Sequence, residues 1–413
     1  MLSFKNAILI SATALVLAIP SSAADTVRLA PVQEGDLAAS DLIRVLDKAR
    51  PGVSREDVAF TYAVRSDLAL DLRPAPFEVA SREYFTDVSG DDLRRGVPIY
   101  VTAENAVVRI NPTSARDKAL PTIEPSGLLI RSAAGSFDKG SGMSLLVEAA
   151  ELEKAGVPFM EGTTAFRLAP SVGVGEIVLQ AAALESGGRY QIHVFDVESP
   201  YILGLRAGAT DYLHGQTLEA AARLGSSEKT LPLYGVEAYV TSPAGRAWRV
   251  EIAPGEGGYL SVQLPLDARE RHVDGLWELH VAARGSVDGL EVVRSARTAF
   301  GVHLPTAGLA GDVALTQGRS GLRADFAVQV GSPGRYEVRG VLFGTDAAGV
   351  LRPVAMGHSA SWLAADGVVR LSFDRSLLDE AEVGAPFEIR DLRLLDQGRM
   401  GILHRQAIGL VVD

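Results

Sequence analysis

Cysteine is absent from the chain. That excludes disulfides and thiolate chemistry, so every domain must hold by packing alone. Aromatic residues make up only 6%, too few to expect a broad exposed stacking platform for sugars. Positive charge is in the minority, with 40 Lys and Arg against 51 Asp and Glu and a net charge of −11. Nucleic acid and anionic lipid both reward clustered basic residues, so an acidic chain argues against both as partners. Beyond residue 24 no apolar run approaches the roughly 20 residues needed to span a bilayer. Several chemical signatures are missing too. There is no Gly-x-Ser-x-Gly elbow, no His-Glu-x-x-His pair, no Gly-x-x-x-x-Gly-Lys phosphate loop and no Asp-x-Asp-x-Asp-Gly calcium loop. No catalytic, cofactor-binding or metal-ligating residue is therefore assigned.

The chain does carry an export signal in its first 24 residues. Lys5 gives a positive start, Ala7 to Ile19 is an apolar core, and Pro20-Ser-Ser-Ala23-Ala24 offers small residues for cleavage. At about 13 residues the core is too short for a transmembrane anchor. Cleavage after Ala23 removes Lys5 and no acid, which takes the net charge from −11 to −12. The expectation is a periplasmic or secreted protein with no membrane span after cleavage.

The stretch Gly188 to Pro200 organises the rest. Tyr190, Ile192 and Val194 fall on one face at strand spacing, and Gln191 and His193 fall on the other. Ser199-Pro200 ends the run, because proline cannot donate to a ladder. Upstream, two helices are expected. Leu42, Val45, Leu46 and Ala49 make a stripe over Ser40–Arg50, and Leu146, Val147, Ala150 and Lys154 make another over Met143–Ala155. Ser89-Gly-Asp-Asp92 reads as a capping-box start for a short helix. Strands are expected at Val58–Val64, Pro98–Val101, Ala106–Ile110 and Glu176–Ala181. Downstream, short alternating segments separated by Gly- and Pro-rich turns suggest immunoglobulin-like sandwiches. Leu218 to Leu224 fits a helix by propensity and a strand by context. Gly188-Arg-Tyr190 and Gly334-Arg-Tyr336 each launch an alternating strand, a shared turn-to-strand chemistry.

The expected fold is mostly β. A signal peptide (1–24) precedes an α+β N-terminal module (25–199) and two tandem Ig-like β-sandwiches (200–305 and 306–413). Ser81-Arg-Glu-Tyr84, Val88-Ser-Gly90, Leu93-Arg-Arg-Gly96 and Glu161-Gly-Thr-Thr-Ala-Phe166 resemble the N-terminal module of a bacterial family of unknown function, number 4785. Gln191-Ile-His-Val194, Ser199-Pro-Tyr201 and Tyr212-Leu-His-Gly215 extend the resemblance. It implies the same plan, an N-terminal module with two Ig-like domains in secreted proteins, and no catalytic logic.

Candidate chemistry is sparse. His193 and His214 are read as hydrogen bonds that fix a domain junction, with a ligand or pH-sensitive role as the alternative. His280 is read as a solvent-side strand residue, and Trp248, Trp277 and Trp362 as core anchors. Ser136 to Lys139 matches Ser-x-x-Lys but needs its serine at a helix start, and Ser226 to Lys229 repeats the string. Gly173-Val-Gly175 reads as a turn. Asp379-Glu380 with Glu382, Asp196 with Glu198, and Asp91-Asp92 read as solvated faces unless held across a cleft. The functional expectation is an exported non-enzymatic binding or structural protein with a protein or glycan partner and no cofactor. The alternative is a secreted effector or hydrolase with its site around residues 121–155, where a long irregular loop leads into the helix expected over Met143–Ala155.

Overall fold

Strand-period sequence dominates, and the structure follows it. A computed structural model describes residues 25–45, 52–73, 75–113, 123–147, 162–182, 184, 188–255, 259–267 and 275–413. Among these the chain forms six sheets that pair into three sandwiches, each pair of sheets enclosing one apolar core.

In the first sandwich, one sheet has the order Glu83–Ser89, Arg189–Phe195, Val107–Pro112, Thr164–Leu168, Met143–Val147. The other has Val97–Val101, Gly175–Ala181, Leu128–Ser132, Gly135–Phe137. Arg189–Phe195 is central to its sheet: Ile192 lies opposite both Thr86 and Ile110. Its pleat is the expected one, with Tyr190, Ile192 and Val194 buried and Gln191 and His193 facing outward, half-buried. The second sandwich sets Glu251–Pro254, Leu260–Pro265, Thr217–Gly225, Ile202–Ala207 and Glu78–Ser81 against Asp211–Leu213, Leu290–His303, Trp277–Val287, Leu233–Thr241 and Ala247–Arg249. The ambiguous Leu218–Leu224 is a strand, with Leu218, Ala220, Ala222 and Leu224 all turned into the core. The third sandwich sets Asp25–Arg28, Ala307–Gly318, Gly321–Val330 and Gly367–Asp374 against Val58–Ala63, Leu351–Leu363, Gly334–Asp346, Val383–Asp396 and Gly401–Val412.

The chain's path through these sandwiches is not sequential. Asp25–Arg28 pairs antiparallel with Leu315–Asp312, Leu37 bridges Arg405, and Val58–Ala63 pairs with Ala360–Ala355. Glu78–Ser81 then adds an edge strand to the second sandwich, with Glu78 opposite Arg206. The first sandwich begins only at Glu83. Residues the sequence groups into one N-terminal module thus supply strands to all three sandwiches. Alternation marks a segment as a strand, but carries no record of which sheet edge it will join.

Helix is scarce. Gly90–Arg95 forms where the capping box predicts: Asp92 N–H donates to Ser89 Oγ at 3.1 Å, and Ser89 N–H donates to Asp92 Oδ2 at 3.0 Å. The other described α-helix is Arg375–Glu380. The two longer helices expected upstream are not found in the described residues. Ser40–Val45 is irregular and is tied down by Ile43 N–H, which donates to Pro305 O at 2.9 Å. Met143–Val147 is an edge strand paired with Thr164–Leu168. Residues 46–51 and 148–161 lie outside the described set, so the α+β character of the N-terminal module rests on one short helix. Short apolar runs fit either period, and here a free sheet edge supplied the backbone partners.

Candidate functional site

Leu290–His303 runs 14 residues, roughly 45 Å at about 3.3 Å per residue, and its two ends make the two sandwich junctions. Near its start, Val293 packs into the core of the first sandwich. Its neighbour Arg294 is wholly buried. Arg294 Nη2 donates to Asp196 Oδ2 and to Ser199 Oγ, each at 2.7 Å, and Nε donates to Tyr201 O at 3.1 Å. Asp196 also accepts from Thr102 N–H at 2.9 Å and Thr102 Oγ1 at 2.7 Å. Burial pulls the Arg294 guanidinium below its ordinary value, and the Asp196 charge opposes that fall. Both ions are paired and saturated with hydrogen bonds, as buried charges must be.

At the other end His303 Nε2 lies 3.0 Å from Asp211 Oδ1. Arg405 of the third sandwich places Nη1 3.5 Å from Asp211 Oδ2. The linker beyond is held by Tyr336, whose hydroxyl donates to Thr306 O at 3.1 Å, and by Thr306 Oγ1, which donates to Asp396 Oδ2 at 2.7 Å.

Among the described residues, a concave feature of ligand size lies elsewhere, on the outer face of the second sandwich. Along Ile202–Ala207 the residues Leu203, Leu205 and Ala207 turn inward, which leaves Ile202, Gly204 and Arg206 outward. Gly204 lies opposite Ala80 on one side and Arg223 on the other, and Arg206 lies between Glu78 and Ala221. Small residues thus floor a trough of about 530 Å³, within the usual range for small-molecule sites. Tyr259, 46% exposed, and the Ser226–Ser227 turn wall it. Arg223 is braced, with Nε donating to Thr230 Oγ1 at 2.7 Å and Nη2 donating to Ser226 O at 3.1 Å. Arg206 and Glu78 face each other across the strand pair but form no ion pair among the described residues.

The residues singled out from sequence are scattered. His193 Nε2 lies 2.6 Å from Glu83 Oε2 and its ring stacks on Phe85 at 4.3 Å, all within the first sandwich. The His193 hydrogen bond holds the Glu83 carboxyl below its ordinary value. His214 Nδ1 lies 3.5 Å from Asp267. The groups that bind the first junction are instead Asp196, Ser199 and Arg294. His280 faces outward beside Glu278 at 3.2 Å and stacks on Tyr239; burial pulls its imidazole down. Trp277 is buried with Trp248 stacked on it at 5.0 Å, and Trp362 is half-buried under the Arg55 guanidinium. Ser136 sits in a strand and not at a helix start, while Ser226 Oγ caps a turn by accepting from Glu228 and Lys229 N–H. Gly173, at φ 76°, closes a 3-10 turn, and Gly175, at φ 103°, is the first residue of the strand Gly175–Ala181. Several carboxylates are spent locally: Asp91 on Arg94, Asp92 on Arg95 and the helix cap, Asp379 on Arg375. Phe60 and Tyr62 are half-exposed beside His358, but Phe60 and His358 stand face to face at 4.9 Å, which uses up ring faces a sugar would need. Residues 123–142 are described as short strands and turns; 114–122 and 148–161 are not described. Among the described residues no group of three or more potential ligands is placed to hold a metal, and no helix is long and apolar enough to cross a membrane.

Sequence reasoning did not single out the trough. Its one available signal was Gly204 on the outward face of a strand, where glycine often marks a close approach.

Among the described residues the architecture is three β-sandwiches joined by polar contacts. The chain belongs to the DUF4785 family: residues 49–196 match the domain of unknown function (DUF4785) N-terminal domain, and 306–411 match its C-terminal domain. A crystal structure of a DUF4785 family protein from Legionella pneumophila is 21% identical, with a TM-score of 0.75. The match covers 91% of this chain and 98% of that one. At that identity it shows the fold alone. Trypsin activated alpha-2-macroglobulin from Escherichia coli is 14% identical over 75% of this chain and 22% of its own, with a TM-score of 0.21. A tetra-tandem repeat from the extending region of a large adhesion protein is 17% identical over 81% and 75%, with a TM-score of 0.20. Superpositions that loose carry no argument. A comparison with curated proteins finds no match.

Proposed function

We propose that this chain is an exported, non-enzymatic binding protein of the periplasm or the medium, and that its partner, a protein or a glycan, is met at the trough of the second sandwich. The observation that carries this reading is the trough itself. It combines a floor of small residues with an arginine and a carboxylate that form no ion pair among the described residues, a half-exposed tyrosine and a serine turn. Such a set binds and orients, but holds no activated nucleophile with a base beside it. Support for export comes from the basic, apolar and small-residue segments of the first 24 residues.

The test is fractionation of the native host, with a photo-crosslinking side chain placed at Ser227 of the full-length protein. The expected result is an envelope or medium location and one dominant adduct. A cytoplasmic location overturns the export reading. Turnover of an ester, peptide or glycan library, lost on changing one polar residue in 121–155, would replace binding by catalysis. Deletion of residues 25–199 is not a usable test, because it strips strands from the second and third sandwiches as well.

A further inference from the structure

The geometry points to a carboxylated saccharide as the ligand of the trough, an inference that rests on the binding reading above. The backbone of the floor is already committed, since Gly204 is flanked by Ala80 and Arg223 in the ladders on either side. An extended peptide laid on this face would find no backbone partners. A saccharide needs only side chains. Its ring face can pack on the half-exposed Tyr259, and its hydroxyls can meet Glu78 and the Ser226–Ser227 turn.

Charge then selects among saccharides. Two guanidiniums and one carboxylate line the trough, a local excess of positive charge in a chain with a net charge of −11. Arg206 has no hydrogen-bonded or ionic partner among the described residues, so its planar fork is free to take a carboxylate two-pronged. Arg223 is held by Thr230 and Ser226 with Nη1 to spare. The distant acidic surface weighs little, because charges beyond about 8 Å are screened at physiological salt.

The space over Gly204 makes a clean test. A Cβ built there would lie 3.7 Å from Glu78 Oε1 and 3.8 Å from Arg223 O, ordinary contacts. A β-carbon is thus accommodated there, and Gly204→Leu places a larger side chain in the trough. The full mature chain, Gly204→Leu, Arg206→Gln and Arg206→Lys are applied to an array of uronic-acid and sialic-acid oligosaccharides, their carboxyl-reduced counterparts, neutral glycans and peptides. Thermal melting of each variant verifies its fold. The expected result is binding to a carboxylated saccharide that falls at least about tenfold on carboxyl reduction and in Arg206→Gln. Binding should be lost in Gly204→Leu and only partly retained in Arg206→Lys, which keeps the charge without the fork. A neutral glycan or peptide bound equally well, and lost in Gly204→Leu, overturns the acidic-saccharide assignment and leaves the binding reading standing. Binding unchanged in a folded Gly204→Leu removes the trough from both readings, and no binding to any carboxylated saccharide overturns the inference.

Discussion

The two junctions are each crossed by an Asp–Arg pair, but they are built differently. Asp196 and Arg294 join the first and second sandwiches at 2.7 Å with neither side chain exposed to solvent. Asp211 and Arg405 join the second and third at 3.5 Å, with 17% and 8% of their side chains exposed and His303 sharing the carboxylate. The first pair sits in a dry, fully hydrogen-bonded site, where losing one partner strands the other charge. The second is longer, partly open to solvent and backed by His303, so Asp211 keeps a hydrogen-bond partner when Arg405 is lost. One junction is sealed from solvent and the other is open to it.

The largest expected effect separates them directly. Arg294→Met should destabilise the protein by about 3–5 kcal/mol in urea unfolding, because Asp196 is left buried and unpaired. Arg405→Met, which also keeps the aliphatic stem, should cost no more than about 2 kcal/mol, since His303 still reaches Asp211. Equal costs would break the comparison.

A middle-sized effect extends it to the strands that Gly-Arg-Tyr launches. A Cβ on Gly188 would come within 3.0 Å of the Tyr190 ring, and one on Gly334 within 3.1 Å of Tyr336. Both tyrosines are buried. Gly188→Ala and Gly334→Ala should each cost about 1–3 kcal/mol by overpacking, read as falls in melting temperature. A cost at one site and not the other would show that the shared sequence is not a shared device.

The smallest effect is acid sensitivity. Burial alone would raise the Asp211 carboxyl, but hydrogen bonds from His303 and Thr210 and the charge of Arg405 outweigh it and hold it below the ordinary value. A depressed carboxylate contributes stability that is present above the unfolded value, about 3.9, and is lost as pH falls through the folded value. Asp211→Asn should therefore melt lower than the parent above pH 5, and the gap should close as acid protonates the parent. A gap that does not change with pH would mean that Asp211 acts through packing and not through charge.

Much of the local structure was legible in advance. The alternation of Tyr190, Ile192 and Val194 and the Ser89–Asp92 capping box rest on contacts within a strand or a turn. The stretch at Met143 was misread because its short apolar run fits both periods, and the edge beside Thr164–Leu168 decided it. Little of the candidate site was visible. Ala80, Gly204, Ala221 and Arg223 lie on three different strands, and a trough exists only once those strands register.

By itself the sequence determined a cysteine-free, acidic, strand-rich chain with a basic and then apolar start, because composition and period are properties of neighbouring residues. Tertiary structure alone decided that Asp25–Arg28 joins the third sandwich, that Arg294 finds Asp196 across 98 residues, and that small side chains align into a trough. Those outcomes depend on which edges and faces meet, and hydrophobic periodicity specifies that a face must be buried without naming what buries it.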